Sequence, residues 1–125
     1  MELRLNVKPL SANKMFYRNK NKTVEYRAYQ EEVRDEMMGV EWPFGAAPVT
    51  FVIKVGLSSK VADLDNVLKP LFDTWQTIYD DFNDKMVFTI LASKEIVEKG
   101  KEYLDVKVIR SDNIRIEVVI QDGLS

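Results

Sequence analysis

The sequence predicts a single α/β (α+β) domain in which helices pack on a mixed β-sheet, with the element order β-α-β-α-β-β-β. Two observations concern patterning. Apolar and polar residues alternate in five segments, which is the period of a strand, and apolar residues recur three and four positions apart in two others, which is the period of an amphipathic helix. The third is length, since 125 residues form one hydrophobic core but not two. We therefore expect one domain over residues 1–125.

The first strand is predicted over residues 2–8, where every second side chain is apolar, and Pro9 ends it. Residues 11–24 show no period and combine four cations with Phe16 and Tyr17. This composition is typical of a flexible arm that contacts phosphates and stacks on bases. The sequence leaves a second interpretation open, in which the two aromatic side chains anchor an ordinary loop in the core.

The middle of the chain predicts a helix followed by a central strand. Apolar side chains at helical spacing run from about Glu25 to Met38, and Gly39 is a natural C-terminal stop. They are Tyr26, Tyr29, Val33 and Met37. The loop over residues 42–45 carries two aromatics, which we expect to pack rather than bind. Within residues 49–57 both faces of the predicted strand carry apolar side chains, one face only in part, so this strand is expected at the centre of the sheet.

A second helix is predicted to begin near Val67, because Pro70 lacks an amide hydrogen and is tolerated only in a first turn. The alternative is a helix that begins earlier, with a kink that frees the Asn66 carbonyl. Three alternating segments follow this helix and predict strands over residues 86–93, 104–108 and 114–120. Residues 110–113, Arg-Ser-Asp-Asn, are typical of a hairpin turn between the last two strands.

The chain contains no histidine and no cysteine. Histidine-based catalysis, histidine-ligated zinc and disulfides are therefore excluded. Any metal must be held by oxygen, which favours Mg²⁺, with Mn²⁺ as a substitute. Because no apolar run of about 18 residues and no signal peptide are present, a cytoplasmic protein is the expectation.

Charge is distributed unevenly along the chain. Residues 1–30 carry seven Lys or Arg and two Glu, a balance of +5, whereas the rest of the chain carries 11 basic and 18 acidic residues, a balance of −7. A basic segment on an acidic body is typical of a phosphate-binding face. The alternative is a basic, solvated loop with no ligand.

Acidic residues flank the second helix and suggest a metal site. Asp63 and Asp65 precede the helix, and Asp84 precedes the following strand. Carboxylates gathered without a cation repel one another, and Mg²⁺ removes that repulsion while leaving positions for water and a phosphate oxygen. Lys69, one turn inside the helix, would then stabilise the charge that develops on the phosphate. Asp73, a further turn along, is expected to orient Lys69.

Structural explanations of the same residues also exist. Asp is favoured at helix N-caps and in first turns, and Asp65 and Lys69 have the spacing of a surface ion pair worth tenths of a kcal/mol. A calcium loop of the EF-hand type is excluded, because Val67 and Thr74 occupy ligand positions that require oxygen at the fifth and twelfth places.

The motif Asp63-Leu64-Asp65-Asn66-x-x-Lys69-x-x-x-Asp73 resembles that of the RusA family of Holliday junction resolvases. Weaker likenesses are Pro9-x-Ser11-x-Asn13 near the N-terminus and Lys94 at the end of the third strand. The resemblance covers about residues 3–109. It implies a small α/β homodimer, encoded by bacteria, phage or prophage, that nicks four-way DNA junctions with magnesium in recombination and repair.

The resemblance also implies roles for individual residues. Asp63 and Asp65 match the paired metal-binding aspartates and Lys69 the essential lysine, while Asp84 is the preferred third metal ligand and Asp81 the alternative. Six residues are expected to hold the DNA: Asn13, Lys14, Arg18, Lys20, Lys22 and Arg27.

Two features depart from the family pattern, namely the acidic net charge and the extension after about Arg110. Two other classes of function remain open. One is a module that binds branched DNA without cutting it, and the other is a structural protein whose acids are caps and surface pairs.

Overall fold

A computed structural model describes residues 1–113, which form one small α+β domain with a four-stranded mixed sheet. The strands are β1 (Glu2–Leu5), β2 (Val49–Leu57), β3 (Val87–Ile96) and β4 (Tyr103–Arg110), and the helices packed on the sheet are α1 (Val24–Glu36) and α2 (Leu68–Ile78). The predicted fold class is confirmed. The predicted strand over residues 114–120 lies outside the described residues, and Ser111–Asn113, within the predicted hairpin turn, form a 3₁₀ helix.

The strand order is β1-β4-β2-β3. Strand β2 pairs antiparallel with β4 and parallel with β3, so the prediction that it is central is confirmed. Parallel neighbours require a crossover connection, and α2 provides it. The helix therefore runs back along the sheet, from the carboxyl end of β2 to the amino end of β3.

The core lies between the sheet and the helices. Phe51 of β2 contacts the rings of Phe72 and Trp75 of α2, with ring centroids 4.9 and 5.5 Å apart. Trp75 is fully buried, as are Val33 of α1 and much of β2. Burial of an aromatic side chain contributes roughly 1.5–3 kcal/mol, so this contact fixes the rotation of α2 and thereby the direction in which its polar side chains point.

Local details agree with the sequence patterns. Helix α1 begins after Thr23, whose hydroxyl accepts a hydrogen bond from the Tyr26 N–H, and Gly39 follows it with φ at +81°. Pro70 lies in the first turn of α2, as predicted.

The loop over residues 42–45 packs on the body of the domain, as expected. Trp42 contacts the rings of Phe44, Phe82 and Tyr79. Within residues 1–113 no helix is both long and apolar enough to cross a membrane.

Candidate active site

Asp63 and Asp65 lie on the connection between the carboxyl end of β2 and the amino end of α2, and both are exposed. Asp65 opens the 3₁₀ turn Asp65–Val67, which leads directly into α2. Neither this turn nor α2 has a side-chain cap hydrogen bond, so neither aspartate is an N-cap, although Asp65 lies in the first turn of the 3₁₀ helix as the structural explanation expected. Asp63 accepts one long hydrogen bond, 3.4 Å, from the amide of Asn66. Both carboxylates therefore face solvent.

Lys69 pairs with Asp73 and not with Asp65. Its Nζ lies 3.1 Å from Oδ2 of Asp73, the partner expected to orient it. The lysine side chain is 64% exposed, so solvent screens the pair and its energy is only tenths of a kcal/mol. The pair acts mainly on geometry, because it directs the ammonium group along α2 toward Asp73, which lies one turn further from Asp65 than Lys69 does.

Lys94 holds the loop that carries Asp63. From the far end of β3, its Nζ donates to the backbone carbonyls of Lys60 at 3.4 Å and Ala62 at 3.0 Å. The sequence indicated Lys94 only through the family resemblance. Since 32 residues separate Lys94 from Ala62, no local pattern could have revealed this contact.

A cleft of about 680 Å³ lies beside Asp63. Its polar lining includes three residues of the N-terminal segment and two of the acidic motif, namely Ser11, Asn13, Lys14, Asp63 and Asn66. The structure thus brings two of the predicted DNA-binding residues, Asn13 and Lys14, next to a predicted metal ligand. The 3₁₀ turns Ala12–Lys14 and Asp65–Val67 lie against each other, which fixes this arrangement.

The charges around the cleft are mixed. Besides Asp63, the carboxylates of Glu25, Glu32 and Glu102 line it, against the ammonium groups of Lys8 and Lys14. An acidic cleft repels a phosphate backbone unless a cation neutralises part of its charge. Tyr29 also lines the cleft, and burial raises the pKa of its phenol far above the ordinary value, so this side chain remains neutral.

The segment between the first 3₁₀ turn and α1 forms a tight hairpin, in contrast to the flexible arm predicted from its lack of period. Phe16 and Lys22 form a β-bridge, and the Tyr17 N–H donates to the Asn21 carbonyl at 2.9 Å. Of the predicted DNA-binding cations, Lys22 donates to Gln30 at 3.0 Å. Three others, Arg18, Lys20 and Arg27, are exposed on the same part of the molecule.

Asp84 lies at the opposite end of α2. It opens a 3₁₀ turn directly before β3, and its N–H donates to the side chain of Gln76 near the carboxyl end of α2 at 2.8 Å. From Asp65 to Gln76 the helical chain rises about 16 Å. Asp81 lies in the same connection as Asp84, so exchanging these two candidates does not shorten the separation.

Residues 1–113 contain no group of three or more acidic side chains arranged to hold a metal ion. One chain thus places Asp63 and Asp65 near part of the N-terminal segment, with Lys69 in the first turn of the helix that follows them and Asp84 at the other end of that helix. The physical reason is the parallel pairing of β2 and β3, which sends the two acidic connections to opposite ends of the sheet.

Of the carboxyl groups in the described part of the chain, Glu102 beside the cleft has a lowered pKa, held down by hydrogen bonds from its own backbone and from the Ser58 hydroxyl. The lowered pKa values of Asp105 and Glu95 lie away from the cleft, on the face of the sheet that carries Arg4. Two hydrogen bonds from Arg4, at 2.6 and 2.7 Å, hold the pKa of Asp105 below its ordinary value. A hydrogen bond from the Tyr103 hydroxyl lowers the pKa of Glu95. These groups satisfy one another and form a structural network rather than a reactive site.

Comparison with models of known protein families and with curated proteins finds no match to this chain. The functional conclusion therefore depends on the residues and their geometry.

Proposed function

We propose that this protein is a magnesium-dependent, structure-selective endodeoxyribonuclease that resolves four-way DNA junctions by paired nicks. The observation that carries the proposal is the arrangement at the amino end of α2. Two exposed, uncapped aspartates, Asp63 and Asp65, directly precede the helix that carries Lys69, whose ammonium group pairs with Asp73. Asp63 lines the same cleft as Asn13 and Lys14, and the turn that Asp65 opens lies against the turn Ala12–Lys14.

The donor set fits Mg²⁺ or Mn²⁺. Asp63 and Asp65 offer carboxylate oxygens, the ligands that hard cations prefer, and their main partner within residues 1–113 is the weak contact to Asn66. When bound, the cation would lower the pKa of a water molecule and polarise a backbone phosphate.

The protein's own groups supply the remaining steps. The two aspartates hold the cation, and Lys69 places a positive charge where negative charge develops on the phosphate oxygens. Lys94 keeps the aspartate loop in place through its two carbonyl contacts. Lys14 beside the cleft and the exposed Arg18 and Lys20 would contact the DNA backbone, which positions the substrate without reading sequence.

We further infer a homodimer, and a role for a second copy in completing the site. A cation requires ligands at roughly 2.0–2.1 Å, so Asp84 can serve as the third ligand only if another chain presents it to Asp63 and Asp65. A two-fold dimer also matches a four-way junction, which requires two symmetric nicks. The edge strand β3 offers apolar contact area through Phe88, Ile90 and Leu91, which are exposed in the single chain.

The direct test is cleavage of a synthetic four-way junction by the wild-type protein across a Mg²⁺ and Mn²⁺ series. We expect nicks at symmetric positions, and a loss of more than about 100-fold in Asp65→Asn, because outer-shell changes at metal sites already cost 10–100-fold. Asp35→Asn, an exposed acid on α1, is the matched control and should cut normally. Absence of nicking at every metal concentration, or full activity of Asp65→Asn, would contradict the proposal.

A module that binds branched DNA without cutting is the second candidate. The observation that favours it is the absence of a complete acidic group within residues 1–113 of one chain. It predicts salt-sensitive junction binding that survives neutralisation of Asp63 and Asp65, together with no nicking by the wild type. A nuclease, by contrast, loses cutting in these variants and keeps or improves binding, since negative charge near the backbone is removed.

Thermal unfolding with and without Mg²⁺ distinguishes the nuclease from a purely structural protein. A site occupied at 100 times its dissociation constant adds about 2.7 kcal/mol to the free energy of unfolding, whereas surface caps and pairs give no metal-dependent shift.

A further inference from the structure

The hairpin between residues 15 and 23 exposes two adjacent aromatic rings. Phe16 is 48% exposed and Tyr17 is 52% exposed, and in the described part of the chain the other strongly exposed aromatic residue is Phe88 at the edge of the sheet. Neither ring is buried, so the two side chains do not anchor the loop in the core as a pair, although Phe16 contacts the buried ring of Tyr26. Exposed aromatic rings next to one another are typical of binding surfaces.

The backbone that carries the rings is held firmly from below. Met15 is buried, the Thr23 N–H donates to the Met15 carbonyl at 3.0 Å, and the Thr23 hydroxyl donates to the Lys14 carbonyl at 2.5 Å. At the tip, the Lys20 N–H donates to the Tyr17 carbonyl at 2.9 Å. A ring presented from a fixed backbone loses little conformational freedom when a ligand stacks on it.

The two rings differ in their surroundings. Phe16 contacts Tyr26 edge to face, with centroids 5.7 Å apart, and the ammonium group of Lys22 lies 5.5 Å from the same Tyr26 ring. Aromatic pairing of this kind contributes to stability, so Phe16 is partly structural. No aromatic contact of Tyr17 occurs within residues 1–113, and Tyr17 is therefore the better placed to receive a ligand.

The chemistry around Tyr17 matches a nucleic-acid strand. Residues 11–22 contain four cations and no acidic residue, and Arg18 and Lys20, which follow Tyr17 in the hairpin, have exposed side chains. Cations that track a phosphate backbone, together with an aromatic face for a base, are the two components of single-strand recognition. At its other end the same segment reaches Asp63 through Lys14 and Asn13.

We propose that Tyr17 stacks on an unpaired nucleobase at the branch point of the DNA, while Arg18 and Lys20 hold the flanking phosphates. Bases in an intact duplex are already stacked on their neighbours and offer no free face, whereas bases at a junction centre can be splayed out. The hairpin thus provides preference for branched over duplex DNA. The inference rests on the proposed function for the identity of the DNA, but binding of this kind does not depend on cleavage.

The test measures binding without cutting, using Asp65→Asn as the background and a four-way junction with 2-aminopurine at the branch point. We expect fluorescence to fall on binding as the base stacks. Tyr17→Ala should weaken junction binding about tenfold and abolish the quenching, while duplex binding changes less than about twofold. Tyr17→Phe should keep both properties. Met38→Ala, which removes another strongly exposed side chain just after α1, is the matched control and should bind like the parent.

The outcomes separate this inference from the nuclease proposal. An equal loss of duplex and junction binding in Tyr17→Ala, or unchanged quenching in that variant, would overturn the stacking proposal. Nicking by the wild type would still support the nuclease proposal. Tyr17-dependent quenching in a protein that never nicks would support stacking and contradict the nuclease. Thermal unfolding of Tyr17→Ala should match that of the parent, because the side chain is half exposed and its loss leaves no buried cavity.

Discussion

The two ends of α2 carry similar acidic residues in different settings. At the amino end, Asp63 and Asp65 are exposed and uncapped, on a loop that Lys94 holds from another strand. At the carboxyl end, Asp84 belongs to a turn that Gln76 and the packed ring of Phe82 tie to the core. Residue type alone therefore does not define a metal ligand, since eleven residues of helix keep these acids apart.

The same comparison gives each end a separate role. The amino end combines carboxylates, an oriented lysine and the basic segment, which is the set that phosphodiester hydrolysis requires in one place. The carboxyl end offers an exposed carboxylate, on a turn whose backbone is held by Gln76, next to the exposed, apolar edge of β3, which is a suitable position from which to reach a second chain.

The largest expected effect tests whether the amino end of α2 in one chain meets the carboxyl end of α2 in a second chain. Asp65→Asn and Asp84→Asn should each reduce nicking more than about 100-fold. When the two inactive variants are mixed and allowed to exchange subunits, each heterodimer regains one intact site if Asp84 acts on the other chain. About one quarter of all sites then recover. Single-strand nicking of a labelled junction measures this recovery.

The outcome of mixing is decisive in both directions. No recovery, despite proven subunit exchange, would place all ligands on one chain or exclude Asp84. Mixing Asp63→Asn with Asp65→Asn is the control, because both lesions affect the amino end and no site becomes intact. Asp81→Asn mixed with Asp65→Asn tests the alternative third ligand in the same way.

The second effect is confined to the amino end. Lys69→Met should lower the rate of nicking by about 100-fold, because a positive charge that stabilises the transition state is lost, while the free energy of unfolding changes by less than about 0.5 kcal/mol. Lys85→Met, which removes an exposed lysine at the other end of α2, is the matched control. Single-turnover cleavage gives the rates, and equal losses in both variants would remove the distinction between the two ends.

A smaller effect is expected from Lys94→Met, which frees the Asp63 loop without removing a metal ligand. The carbonyls of Lys60 and Ala62 lose a charged donor, so the two aspartates are less well positioned. We expect the Mg²⁺ concentration for half-maximal nicking to rise about tenfold, in the range for residues that orient metal ligands, with recovery at high Mg²⁺. Lys99→Met, in the loop after β3, should titrate like the wild type.

The smallest effect comes from the carboxyl end. Gln76→Leu removes the acceptor for the Asp84 N–H and should lower the free energy of unfolding by about 0.5 kcal/mol, since the bond is exposed. Nicking should fall a few-fold, and the Mg²⁺ concentration for half-maximal nicking should rise by a similar factor, because Asp84, the proposed third ligand, is less well positioned. Denaturant unfolding and a magnesium titration measure the two effects, and Gln76→Glu, which keeps an acceptor oxygen, is the comparison variant.

Much of the fold could be predicted from the sequence because it depends on local patterns. The alternation over Val49–Leu57 indicated both a strand and its central position, and the placement of Pro70 indicated where α2 begins. The ion pair of Lys69 with Asp73 followed from helical geometry. For the same reason the sequence could name Asp63, Asp65 and Lys69 as one group, since all three lie within seven positions of the chain.

The features that involve distant segments could not be predicted in this way. No local period reveals that Lys94 reaches the loop before Asp63, or that the rings of Phe16 and Tyr17 remain in solvent. Both depend on which segments pack against one another.

The secondary-structure elements, their buried faces and the available chemical groups thus follow from local sequence patterns. These groups are oxygen ligands and cations, without histidine or cysteine. Where the groups come together depends on the tertiary structure. Because β2 and β3 pair in parallel, α2 runs back along the sheet between them and separates Asp63 and Asp65 at one end from Asp84 at the other. Periodicity reports which face of an element is buried, whereas the distance between two elements depends on the direction in which strands pair.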